Sequence, residues 1–117
     1  MDDTPPPIDP ATHEQHLKIQ QRLATIGLAM PGSLTERYMR CSSRGCRCRA
    51  EPPHLHGPYW QWTRKIHAKT VQRMLKPDQA ARYAPWFDNA RTLRDLAREL
   101  ETLTLTLVHT HEGWGNK

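Results

Sequence analysis

Apolar and polar positions change period along this chain. The most regular stretch lies near its end. Trp86, Ala90, Leu93, Leu96, Ala97, Leu100, Leu103 and Leu107 recur at three- and four-residue intervals, the period of one helix face. Arg91, Arg94, Asp95, Arg98 and Glu101 fall on the other face. A helix of that length must bury its stripe against another element or a second copy of itself. A patchier stripe near the start, Leu17, Ile19, Leu23, Ala24 and Ile26, predicts a helix over 10–28. Asp9 is its N-cap and Pro10 its first helical residue. Gly27 or the Met30-Pro31-Gly32 break ends it.

Between the two helical stretches the period shortens to two. Residues 59–65 (YWQWTRK) and 69–75 (KTVQRML) alternate as strands. A turn at His67-Ala68 would close them into a hairpin that pairs Trp60 with Leu75, Trp62 with Arg73 and Arg64 with Val71. His67-Ala68 lacks the Asn-Gly chemistry of a tight turn, which leaves room for a longer loop. Residues 34–40 (LTERYMR) predict a further short strand. Lys76-Pro77-Asp78-Gln79 opens a new helix, and Pro85 begins or kinks its next piece. The expected fold is α+β: an N-terminal helix, a small antiparallel sheet of about three strands, and a long C-terminal helix. Residues 1–9 read as a disordered lead, 10–108 as one domain, and 109–117 as a frayed tail. Within the domain, the metal loop and hairpin described below occupy 33–75 and the helices 77–108.

Composition adds that the core is small. Only 37% of 117 residues are hydrophobic and 7% aromatic, so a staple is expected. A disulfide framework fits poorly: the three cysteines are odd in number and follow an acidic, proline-rich start, not an apolar leader. No apolar run reaches the roughly 20 residues of a membrane span. A reducing, cytoplasmic setting is expected, with no membrane partner.

The cysteines cluster as Cys41, Cys46 and Cys48, spaced C-x4-C-x-C, with His54 and His56 close behind. Thiolates and imidazole are the ligands of closed tetrahedral zinc sites. Arginines and serines, not apolar residues, flank the cysteines, so the segment is a loop and not a core strand. Zn2+ bound by Cys41, Cys46, Cys48 and His56 is the expected cofactor. His54 is the rival fourth ligand, and His56 is preferred because Gly57-Pro58 fixes a turn behind it.

These residues carry a resemblance. The run Gly32-Ser33-Leu34, Arg37-Tyr38, Cys41-x4-Cys46-x-Cys48 and His56-Gly57-Pro58-Tyr59 is similar to a family of short uncharacterised bacterial and archaeal proteins, known as a domain of unknown function. Lys69-Thr70-Val71, Pro77-Asp78-Gln79-Ala80 and Tyr83-x-Pro85-Trp86 extend the resemblance over about residues 30–105. It implies a layout of three cysteines, a His-Gly-Pro-Tyr turn, a basic hairpin and a leucine-rich helix, with a metal site. It also implies proximity to mobile-element genes, and hence DNA. This chain departs at Lys76, where a Ser or Thr cap is usual, and at His67-Ala68, where the turn usually contains Gly.

Charge is unevenly placed. Nine basic residues lie between Arg37 and Arg73 against one acid, Glu51, so the segment carries +8 and the remainder −3 of the net +5. Seven of the nine are arginines, which suit phosphate and base-edge contacts. Arg44, Arg47, Arg49, Arg64, Lys65 and Arg73 are the expected nucleic-acid contacts, on one positive face, with DNA ahead of RNA. Tyr38, Tyr59, Trp60 and Trp62 offer stacking faces among them, although at least one of the two tryptophans is expected in the core. No enzyme is expected: the chain lacks a Gly-rich phosphate loop, a nucleophile motif and an acidic cluster for catalytic magnesium. The other reading is an adaptor whose 86–107 helix pairs with itself or a protein partner, the metal serving stability alone.

Overall fold

The computed structural model describes residues 4–115. The elements run α1 (Pro10–Ala24), β1 (Ser33–Met39), a 3-10 turn (Arg47–Arg49), β2 (His56–Ile66), β3 (Lys69–Leu75) and α2 (Pro77–Glu112). This is the expected α+β arrangement, with a three-stranded antiparallel sheet in the order β1-β2-β3. No described helix is long and apolar enough to cross a membrane. The chain divides into two compact units. One comprises Met1–Gly27 and Arg91–Lys117, the other Leu28–Ala90.

The first unit holds α1 and the C-terminal part of α2. Asp9 caps α1 as its sequence predicts, accepting from the Thr12 amide at 3.2 Å and the Thr12 hydroxyl at 2.6 Å. The helix stops at Ala24, four residues short of the expected 28. The Thr25 hydroxyl turns back onto the Arg22 carbonyl at 2.9 Å, and the Thr25 and Ile26 amides take carbonyls three residues back. Those tighter bonds close the last turn before Gly27 is reached. At the other end α2 continues to Glu112, past the expected 108. The predicted tail is therefore partly helical, and residues 116–117 lie outside the described residues. Of the predicted lead, residues 1–3 also lie outside them. Residues 4–9 form no regular element, yet Pro5, Pro6 and Ile8 line a groove of about 240 Å³ with Leu100, Leu103 and Leu107.

Leu96 is fully enclosed and Ile19 buried, and Arg22 pairs with Glu99 at 3.1 Å. The rest of the stripe is only partly covered. Leu100, Leu103 and Leu107 are half-buried and Leu93 is 43% exposed, while Leu105, off the stripe, is 54% exposed. Of the leucines in the stripe only Leu96 reaches the full burial implied by the helical period, and Ala90, in the other unit, is buried as well.

The second unit holds the sheet and the first turns of α2. β2 and β3 pair in the expected register, Trp60 with Leu75, Trp62 with Arg73 and Arg64 with Val71. The turn is two residues long. His67 and Ala68 both take positive φ, 50° and 66°, the backbone of a primed hairpin turn, which normally selects Asn-Gly. Pro85 lies inside α2 and does not interrupt it; it removes one backbone bond, to the carbonyl of Ala81. The segment after α1 is tethered to α2 twice. Asn89 donates to the Leu28 carbonyl at 2.8 Å, and the Met30 amide to the Trp86 carbonyl at 3.0 Å. Trp62 donates from its indole to the Pro31 carbonyl at 2.7 Å and meets Phe87 edge-on at 6.2 Å. That tryptophan is half-buried against the helix and Trp60 is half-buried too, so neither reaches the core expected to hold at least one of them.

Candidate metal centre

The first strand delivers the chain to Cys41, and β2 starts at His56, so the loop between them is closed by the sheet itself. Where β1 and β2 part, one residue of β1, Tyr38, faces two of β2: Arg37 pairs with Tyr59 and Met39 with His56. The extra residue lies at Gly57-Pro58. Gly57 sits at φ 141°, and a Cβ there would lie 2.8 Å from the Arg37 carbonyl oxygen. Only glycine permits this approach of the two strands. The bulge aims His56 back into the loop.

Within the loop, the Cys46 amide bonds the Ser43 carbonyl at 3.4 Å, and the 3-10 turn is closed by Arg49 to Cys46 at 3.0 Å and Ala50 to Arg47 at 3.1 Å. This turn sets Cys46 and Cys48 two residues apart yet on one side. Arg49 then ties the loop across its mouth. Its guanidinium donates to the Cys41 carbonyl at 2.7 Å and the Ser43 carbonyl at 3.3 Å.

The result brings together Cys41, Cys46, Cys48 and His56, their ligand atoms all within 4.8 Å of one another. All three cysteines are free thiols. The Cys41 and Cys48 sulfurs are 3.6 Å apart, and Nε2 of His56 lies 3.0 Å from the Cys46 sulfur. A tetrahedral ion with metal–sulfur bonds of about 2.3 Å spaces its sulfurs about 3.8 Å apart, so the first pair already stands at ligand spacing. The second opens by about half an ångström to accept an ion of that size. The four residues can therefore hold a metal ion. The rival His54 stays outside this cluster, and its amide serves the loop by donating to the Arg47 carbonyl at 2.9 Å.

The local dipoles already favour a thiolate. The Ser43 amide, then the Cys46 thiol and His56, pull the Cys41 thiol down to about 6. Cys48 is fully enclosed. The Cys41 amide, 3.4 Å from its sulfur, pulls it down, but burial and the neighbouring thiols outweigh that donor and leave Cys48 raised. A cation in the middle of this set would relieve the burial of both sulfurs.

The cations named from the sequence are placed less simply. Arg44, Arg47 and Arg49 stand exposed on the metal loop, and Arg49 has the stapling task that its position in the sequence did not reveal. Arg64 and Lys65 lie at the far end of β2, separated from His56 by roughly 25 Å at about 3.3 Å per residue. Strand alternation sets Arg64 and Arg73 on one sheet face and Lys65 on the other. The six do not share one face as expected: they form two groups at opposite ends of the sheet, with Arg73 between them beside Trp62. Arg64 is half-buried, its guanidinium 4.4 Å from the centre of the Trp62 ring.

Comparison with curated proteins, and with solved structures, found no match. A family model does match, over residues 11–85. The match takes in α1, which the resemblance omitted, and contains all four clustered ligands and the whole hairpin. It stops at Pro85, before the leucine-rich turns of α2. Covering about two thirds of the chain, it shows that this protein belongs to the family described as a domain of unknown function, DUF6788.

Proposed function

We propose that the sheet unit is a zinc-clasped module that binds nucleic acid. Three thiols and one imidazole at tetrahedral spacing favour Zn2+ over harder cations, and four protein donors leave no open position for catalysis. The observation that carries the nucleic-acid reading is the state of the cations. Ion pairs are made by the helices: Lys18 with Glu14, Arg22 with Glu99, Arg82 with Asp78 and Arg98 with Asp95. Among the described residues none of the nine cations from Arg37 to Arg73 is paired with a carboxylate. Among the described residues the side chains of Arg44, Arg47, Lys65 and Arg73 have no hydrogen-bonding partner. Unneutralised arginines along a sheet suit a row of phosphates. The accessory role beside mobile-element or other DNA-processing genes implied by the resemblance belongs to this proposal.

A salt titration of binding to duplex DNA, single-stranded DNA and RNA tests it. With about four phosphates neutralised, log K falls with log salt at a slope of about −3 to −4. Arg44→Ala with Arg47→Ala makes the slope shallower by about 2, with the metal retained. No binding at low salt, or a slope indifferent to that double change, refutes the reading.

The partly covered stripe favours a second reading for the helical unit, pairing with a second copy of itself through the exposed Leu93 and the half-buried Leu100, Leu103 and Leu107. Sedimentation of the full chain tests this: a monomer at about 100 μM, far above a micromolar dimer constant, rules it out.

A further inference from the structure

One pocket of the sheet unit shares no residue with the metal centre. Met30, Trp62, Arg73, Leu75, Gln79, Tyr83 and Trp86 line a recess of about 380 Å³, within the range of small-ligand sites. Tyr83 and Trp86, three residues apart on α2, present neighbouring rings 5.4 Å apart and inclined by 46°. Trp86 is 37% exposed. The walls are anchored by bonds already in place: Trp62 to Pro31, Met30 to Trp86, and Asn89 to Leu28.

The polar groups on the walls restrict what can enter. Gln79 spends its carbonyl oxygen on the Lys76 amide at 2.9 Å, capping α2 where a Ser or Thr would otherwise serve. That bond leaves the Gln79 amide nitrogen as a donor. The Arg73 side chain has no partner among the described residues and can only donate. No carboxylate lines the recess, and the Arg64 guanidinium stacks on the Trp62 ring. An aromatic pocket that captures cations needs open ring faces and no competing charge. This one has the Arg73 guanidinium in its wall and one of its rings, Trp62, already taken by Arg64, and so selects against a cation. The complementary ligand has a flat π-face, hydrogen-bond acceptors and a negative charge.

We infer that this recess takes one unstacked nucleobase of a single-stranded nucleic acid, stacked on Trp86 and Tyr83, with Arg73 and Gln79 donating to its acceptors or its phosphate. The inference rests on the nucleic-acid reading above and specifies it. A duplex keeps its bases paired and stacked, so the recess makes single strands the preferred form.

The test uses the full zinc-loaded chain and a short oligothymidylate, with the same strand carrying abasic positions and a duplex as comparisons. Intact single strand binds more tightly than either comparison and quenches tryptophan fluorescence saturably. Trp86→Ala weakens single-strand binding roughly 10- to 100-fold and leaves the salt slope unchanged, because no charge is removed. Trp86→Phe restores most of the loss, which separates stacking from misfolding. Arg73→Ala weakens binding and also makes the slope shallower by about 1. If the abasic strand or the duplex binds as tightly as the intact strand, or Trp86→Ala binds as tightly as the parent while the salt slope persists, the recess is not a base site and the basic surface alone stands. If no strand binds at low salt, the nucleic-acid reading fails and this inference with it.

Discussion

Arg49 shows how much a single side chain decides here. Its charge suggested a phosphate contact, yet the planar fork reaches two carbonyls of the loop it belongs to. Arg49→Ala is expected to destabilise the zinc-loaded unit by about 1–2 kcal/mol, discounted for exposure from the usual worth of charge-assisted bonds. Arg49→Lys should not recover the loss, because an ammonium cannot span both acceptors. Denaturant titration of the two variants checks this, and equal stability to the parent would reduce Arg49 to a surface cation. The thiols give a second residue-level expectation. Cys41 is lowered to about 6, so at neutral pH it has already lost the proton that an ion must displace, whereas the raised Cys48 has not. Metal affinity therefore falls with acid, and falls more steeply by about one proton as pH drops through about 6. Competition titrations from pH 5 to 8, with Cys41→Ser lacking that added step, measure it.

At the scale of elements, the register of β2 on β3 was legible because alternation leaves only one way to bury Trp60 and Trp62 together. The turn was less so. His67 and Ala68 are poor choices for two consecutive positive φ angles, and the sheet imposes them. Replacing both, H67N with A68G, should stabilise the unit by about 1–2 kcal/mol without changing the strands; thermal melts read the gain. Gly57→Ala should do the reverse. The added methyl meets the Arg37 carbonyl at 2.8 Å, and a loss of about 1–3 kcal/mol is expected, with weaker metal binding because the same bulge aims His56. The ends of the helices were misjudged for a local reason: Thr25 closes α1 by a side-chain bond that periodicity does not contain, and nothing in 109–112 stops α2. Likewise, the ligand choice between His54 and His56 turned on the bulge, which sequence spacing alone leaves open.

Over the whole molecule, two kinds of stabilisation divide the chain. The helical unit depends on apolar contact that is complete only at Leu96. Leu96→Ala is expected to cost about 2–5 kcal/mol, and Leu93→Ala or Leu105→Ala about 0.5 kcal/mol or less in a monomer. A large loss at Leu93, dependent on protein concentration, would point to a paired stripe. The sheet unit has few enclosed residues, Cys48, Gln61, Ala80, Phe87 and Ala90, and four metal-ready donors at one end of its central strand. Composition foretold the small core, and the four clustered donors are where the expected staple could sit. Where along the sheet the cations would fall depended on strand length and alternation, and these divided one expected face into two ends.

The central claim is that a bound ion holds the metal loop and sheet in place. Amide hydrogen exchange of the reductively purified chain, with and without one equivalent of Zn2+, tests it most directly. One ion per chain is expected, with exchange over residues 33–75 faster by roughly tenfold or more once the ion is removed. Unchanged protection of those residues in a metal-free chain would contradict it.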